Sequence, residues 1–138
     1  MKTPKDLGFI FPAEWEKHES TWLSYPHNEN SWPDKIETIF PSYNQFIAEL
    51  SKCEKVNINI QDQSTQDKVT AQLQEIGTKM ENIHFHHFRT NDAWCRDHGP
   101  AFVLKTNQKA IVNWDYNAWG GKYPCELDNQ IPLQIAKH

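Results

Sequence analysis

Thr90 to Pro100 reads TNDAWCRDHGP, which sets two aspartates, an arginine, a histidine, a cysteine and a tryptophan within eleven residues. Those types point first to the recognition of a planar cation. A carboxylate accepts two parallel hydrogen bonds from a guanidinium, and an aromatic face stacks on the same ion. Trp94 and Asp97 stand three apart, and Asp92 and Asp97 flank the tryptophan. The set suits a substrate with a guanidinium or amidinium head. The same residues also suit a structural salt bridge, with Asp97 turned to the protein's own Arg96 or Arg89. Gly99-Pro100 sets the entry to the next segment under either reading.

Cys95 raises a second chemistry, a thiol nucleophile with His98 as base and Asp97 or Asp92 as orienter. Catalytic partners are usually brought together from distant parts of a chain. In an extended segment Cys95 would also point away from Trp94 and Arg96. A small buried cysteine is therefore expected, and His98 has no assigned role. A third chemistry is metal binding. His84 and His86 would share a face of a strand, and His87 and His98 stand near in sequence. No H-E-x-x-H or paired cysteine spacing accompanies them, so no metal is expected.

The surrounding composition narrows the class. A chain of 138 residues holds one domain with a real core, and 23% charged against 38% hydrophobic residues marks it as folded, not disordered. Six tryptophans are many for this length, and large aromatics outside a core line cavities for small ligands. The net charge of -4 gives no basic footprint for nucleic acid. No apolar run approaches the roughly 20 residues that span a bilayer, so no membrane partner is expected. The start, MKTPKDLGF, lacks the apolar core of a signal peptide. Three cysteines, Cys53, Cys95 and Cys125, are odd in number and lack C-x-x-C spacing. They imply reduced thiols and a cytoplasmic location.

The elements that must position the loop follow from periodicity. Thr21 to Tyr25 suits a strand, and Pro26 to Pro33 a loop. Asp34 is expected to cap a helix whose apolar stripe runs Ile36, Ile39, Phe40, Tyr43, Phe46, Ile47 and Leu50, with Pro41 kinking it or splitting off its first turn. Val56 to Ile60, VNINI, alternates with period two and predicts a strand with one buried face. Thr65 to Ile76 is a second amphipathic helix with Gly77 as its stop. Ile83 to Phe88 is the next strand. Ala101 to Leu104 and Ala110 to Trp114 form a hairpin across Lys105 to Lys109. Asp115 to Pro124 is an aromatic, glycine-rich loop, and Asp128 to Lys137 begins a helix. Strands alternating with helices, then a hairpin, indicate α/β with mixed pairing. Because the chain stops inside that last element, we expect it to be the front part of a longer protein.

Three segments, PAEWEKHESTWLSYPHN, TNDAWCRDHGPAFV and NWDYNAWGGKYP, resemble in order and spacing the agmatine deiminase and bacterial peptidyl-arginine deiminase family. The resemblance covers Phe11 to Tyr123. It implies the pentein fold, a five-bladed propeller of ββαβ-type units, with residues 1–138 forming about the first two units of a single catalytic domain. It also implies hydrolysis of a guanidinium to a ureido group with release of ammonia and without a cofactor. In that chemistry a cysteine thiolate attacks the guanidinium carbon, a histidine serves the leaving ammonia and then the water, and two carboxylates hold the nitrogens.

Carried over residue by residue, Asp97 matches the first guanidinium-binding carboxylate and Trp94 the aromatic beside the substrate. Asp92, Arg96 and Gly99 match supporting motif positions, and Asp92 is also counted among the substrate-binding residues that the resemblance implies. Trp119 matches a loop facing the substrate's far end, and Trp22 lies in the matching N-terminal segment. The family's nucleophile, histidine and second carboxylate fall beyond His138, so this chain is expected to lack turnover. The expected partner is a small guanidino compound, agmatine or an arginine side chain. No arginine follows Arg96 to fork a substrate carboxylate, while Trp114, Tyr116, Trp119 and Tyr123 offer an aromatic wall. Agmatine is therefore favoured. A non-catalytic guanidinium-binding module, and a metal- or thiol-dependent hydrolase, are the alternatives. Exposed strand edges would also favour association of copies.

Overall fold

Val56, Ile58 and Ile60 are β-branched residues at alternate positions, and all three are fully buried. They form the inward face of β2 (Lys55–Asn59) and the residue just after it. This strand lies between β1 (Ser20–Ser24) and β3 (Ile83–His86), and both pairings are parallel. The structure, a computed structural model, describes residues 2–138. Parallel neighbours need crossover connections, and two amphipathic helices supply them: α1 (Ile36–Leu50) and α2 (Gln63–Glu75). Ile47 from α1, with Val69 and Leu73 from α2, closes the core over the isoleucine face, joined by Tyr25 and Ile83.

Two helix ends behave differently from each other. Asp62 caps α2, its carboxylate accepting the Thr65 N–H at 2.8 Å. At the far end Gly77 turns left-handed (φ 74°), and Thr78 N–H returns to the Leu73 carbonyl at 3.0 Å, as the sequence leads one to expect of a glycine stop. Asp34, expected to cap α1, does not. It sits at φ 56° as the corner of a turn closed by Lys35 N–H on the Trp32 carbonyl. A short polar side chain tolerates that geometry, but the helix then begins uncapped after Lys35. Pro41 neither breaks nor splits α1. The hydrogen bond it forgoes falls on the Glu37 carbonyl, on the exposed side where water can serve it.

Past β3 the chain makes one short turn, α3 (Cys95–His98), before the hairpin of β4 (Ala101–Lys105) and β5 (Gln108–Val112). The hairpin is a separate two-stranded antiparallel sheet, tighter than expected, with Asn107 at φ 60° in its turn. Ile10 bridges to Leu104 along its edge. A second short turn, α4 (Ala118–Gly121), leads to α5 (Ile131–Lys137), which buries Ile131, Pro132 and Ile135. Between the N-terminal segment, the hairpin and β1 lies an open cleft of about 1720 Å³. Ile10, Phe11, Trp15 and Trp114 are 67%, 69%, 88% and 64% exposed.

Two outcomes follow. Ile58→Ala should cost about 3–4 kcal/mol in urea unfolding, because a fully buried side chain leaves a cavity between two packed helices. The exposed aromatic flank should make the chain associate as concentration rises, read by light scattering, and replacing Phe11 and Trp15 by serine should reduce that association.

Candidate active site

The Thr90–Pro100 segment is held by the loop that follows β1. His27 reaches the Thr90 carbonyl with Nε2 and the Tyr25 carbonyl with Nδ1, each at 3.1 Å. Gln61, just after β2, donates to the Thr90 carbonyl and hydroxyl at 3.3 and 3.1 Å. Asn28 donates to the Asn91 carbonyl at 3.2 Å. The carboxyl ends of β1, β2 and β3 therefore converge on this one segment.

Asp92 is buried, and its carboxylate accepts from Ser31 Oγ, Asn28 Nδ2 and the Ala93 N–H. Those bonds occupy it with the protein's own donors. Asp97 differs: it is exposed, lines the open cleft, and makes no ion pair among the described residues. Arg96 turns away from it and pairs with Glu14 at 2.6 Å, both ends well exposed. The salt-bridge alternative for Asp97 and Arg96 is therefore not what forms.

Trp94 immediately precedes α3 and Asp97 is its third residue, so the two project from one turn. The indole of Trp94 is 42% exposed. Trp32 stacks beside it (centroids 6.1 Å, 22° between planes), and Trp119 meets it edge to face at 5.9 Å. Trp119 also contacts Tyr116 and Tyr123 edge to face. Tyr116 links this aromatic group to the acids. Burial and the nearby carboxylates of Asp97, Asp128 and Asp92 push its phenol up to about 12. The backbone of α4 is unusual: Ala118, Trp119, Gly120 and Gly121 have φ of 48°, 56°, 86° and 77°, a left-handed turn. Asn117 steadies it by accepting the Gly120 N–H at 3.1 Å.

The extended conformation expected around Cys95 is replaced by the α3 turn, and Gly99 closes it. Gly99 N–H bonds to the Cys95 carbonyl at 2.8 Å, and a Cβ on Gly99 would stand 2.4 Å from that oxygen. Only glycine fits there. Burial of the Cys95 thiol pushes it up to about 11, which suits a packing residue and not a nucleophile. His98 is fully buried, with Ser24 Oγ at 3.5 Å and Asp128 Oδ1 at 3.9 Å from Nε2. Burial lowers its pKa and raises that of Asp128, each opposed by the other's charge. Ser24, His98 and Asp128 are triad types, yet both oxygens approach the same ring nitrogen and none reaches solvent. A relay needs the carboxylate on the opposite nitrogen.

His84 and His86 do not share an environment. His84 is exposed, while His86 packs on Trp22 and His138 and bonds Asn57 Oδ1 at 2.9 Å. Among the described residues no group of three His, Cys, Asp or Glu could hold a metal ion. Trp22 lines the same cleft as Asp97. No helix of the described residues is long and apolar enough to cross a membrane.

The family model of the Porphyromonas-type peptidyl-arginine deiminases matches residues 10–138. The chain belongs to this family. Among its deiminase relatives, a Legionella pneumophila protein provisionally named agmatine deiminase is 32% identical over 98% of this chain and 38% of its own length. The agmatine deiminase of Ectopseudomonas mendocina is 29% identical over 96% of this chain and 36% of its own. In three dimensions the chain matches a cysteine-to-serine variant of the C. jejuni agmatine deiminase, solved with substrate bound. The TM-score is 0.79 at 29% identity, over 94% of this chain and 37% of that one.

The chain thus spans a little over a third of the length of the deiminases it matches. An α/β fold of the pentein type, present as a partial propeller of about two units in five, accounts for that share. The matched deiminase segments meet in space as their order suggests. PHN supplies His27 and Asn28, which hold TNDAW; WCRDHGP forms the turn; NAWGGKY supplies the aromatic wall. Nothing in the sequence near His27 or His98 signals these contacts, and Asp128 reads there only as a helix start. Ser24, Asn59 and Gln61 are equally silent in the sequence, because single polar residues at strand ends carry no local signal.

The thiols provide a direct check. At pH 8 iodoacetamide should label exposed Cys53 readily and leave Cys95 largely unmodified by mass spectrometry. Cys95 labelling should rise only as pH approaches 11, since the thiolate is the reactive form.

Proposed function

We propose that this chain carries the guanidinium-gripping half of a deiminase site, with agmatine as the favoured substrate. The observation that carries the reading is the exposed side chain of Asp97, paired with neither arginine and set three residues from the partly exposed Trp94. Asp97 would accept two N–H groups along the guanidinium edge, and Trp94 would lie against its face. Asp92 belongs, in this assignment, with the groups that hold the turn. Arg96 ties the turn to the N-terminal segment through Glu14, and Gly99 closes it.

In the overall reaction water replaces one guanidinium nitrogen, giving N-carbamoylputrescine and ammonia. Covalent attack through a thiouronium intermediate needs a thiolate that Cys95 does not supply. The nucleophile, the proton-handling histidine and the second carboxylate are assigned to sequence beyond His138. The aromatic wall of Trp119, Tyr116 and Tyr123 suits the aliphatic chain and ammonium of agmatine better than a carboxylate. Peptidyl-arginine is the alternative substrate. A purely binding role is the alternative function, and buried, inert Cys95 and His98 favour it for this chain taken alone.

Titration calorimetry should detect agmatine binding to this chain, tighter than binding of a peptide ending in arginine. Asp97→Ala should abolish the heat, and Trp94→Ala should weaken binding about tenfold, a loss of the size expected for one cation–π contact. A ureido colour assay should show no turnover by the chain; colour development would return Cys95 to the mechanism.

A further inference from the structure

Asp128 lies at the head of α5, 1% exposed, and three groups approach its Oδ1. It accepts the N–H of Asn91 at 2.7 Å and that of Asp92 at 3.4 Å. His98 Nε2 stands 3.9 Å away. Asn91 and Asp92 lead into Trp94, and His98 follows Asp97, so one oxygen bonds the entry of the turn that carries the clamp and lies close to the histidine at its exit. The tie is reciprocal: Asn91 Oδ1 accepts the N–H of Leu127 and of Asp128 at 2.8 and 3.2 Å. The same His98 Nε2 lies 3.5 Å from Ser24 Oγ, which accepts from Asn59 Nδ2 at 3.0 Å. The turn is therefore pinned to the ends of β1 and β2 and to α5 through buried polar groups.

We propose that Asp128 and His98 are the positioning pair of the guanidinium clamp, fixing where Trp94 and Asp97 point without touching the substrate. The proposal rests on the reading of Trp94 and Asp97 given above. Charge matters to it. A carboxylate oxygen strengthens both backbone bonds and faces the imidazole favourably, whereas a carboxamide of the same shape offers a neutral acceptor. Buried groups sharing one acceptor should also couple, so removal of either member should loosen the same turn.

The test compares the chain with Asp128→Asn, His98→Gln and the double variant, by NMR relaxation and by calorimetry with agmatine. Asp128→Asn should keep a cooperative melt and unchanged shifts in β1, β2 and β3. The Asn91 amide proton should move upfield. Order parameters for Ala93 to Asp97 should fall from about 0.85 toward 0.6. Agmatine affinity should drop about tenfold, and the double variant should lose no more than the worse single one. Unchanged order and affinity in Asp128→Asn, or strictly additive losses, would overturn the pairing. If the unaltered chain binds no agmatine, the functional reading fails, and the relaxation data still decide whether the pair orders the turn. If Asp128→Asn does not fold, His98→Gln must show the local loosening with the sheet intact. Global unfolding of both variants would count against a positioning role.

Discussion

Everything at the candidate site depends on how buried polar groups at the ends of three parallel strands are satisfied. Ser24, Asn59 and Thr90 follow one another at that end, and Asp128 arrives from the far side of the chain. Leaving such groups without partners costs on the order of 1–3 kcal/mol each. Ser24 and Asn59 bond each other, His98 Nε2 approaches the Ser24 hydroxyl, and Thr90 takes its partners from His27 and Gln61. The shape of the loop from Thr90 to His98 is therefore dictated from below, by the sheet, before any ligand is considered.

The parallel sheet explains why those ends coincide. Crossovers through α1 and α2 return each strand in the same direction, so every strand delivers its carboxyl end to one side. Open α/β sheets bind ligands on that side. Here the strand ends deliver anchoring residues, and the exposed chemistry rides on the turn they anchor. Trp94 and Asp97 can thus stay exposed above the buried Ser24, His98 and Asp128.

Much of the fold was legible from periodicity. VNINI declared β2, the three- and four-residue steps declared α1 and α2, and Gly77 marked a true stop. Asp34 misled because the same short acid that caps a helix also tolerates a left-handed corner, and only the neighbouring turn decides between them. The alternation of β2 implied one buried face, yet Asn59 is 1% exposed on the other, where its amide bonds the equally buried Ser24 hydroxyl. Trp94 and Asp97 stand out by residue type and spacing, and the structure leaves both exposed on one turn. Asp128 and His98 do not stand out, since their partners stand 30 or more positions away and nothing local announces them.

The left-handed turn at Ala118–Gly121 carries a wider implication. Two of its four members have side chains, and an L-residue in that region is disfavoured by roughly 1–2 kcal/mol. Glycine at Trp119 would relieve the backbone. An indole kept there instead indicates that its ring contacts with Trp94, Tyr116 and Tyr123 outweigh the local strain. That loop is then a place where side-chain packing holds a costly backbone, so a substitution that relaxes the turn at Trp119 would lose more in ring contacts than it regains in backbone strain.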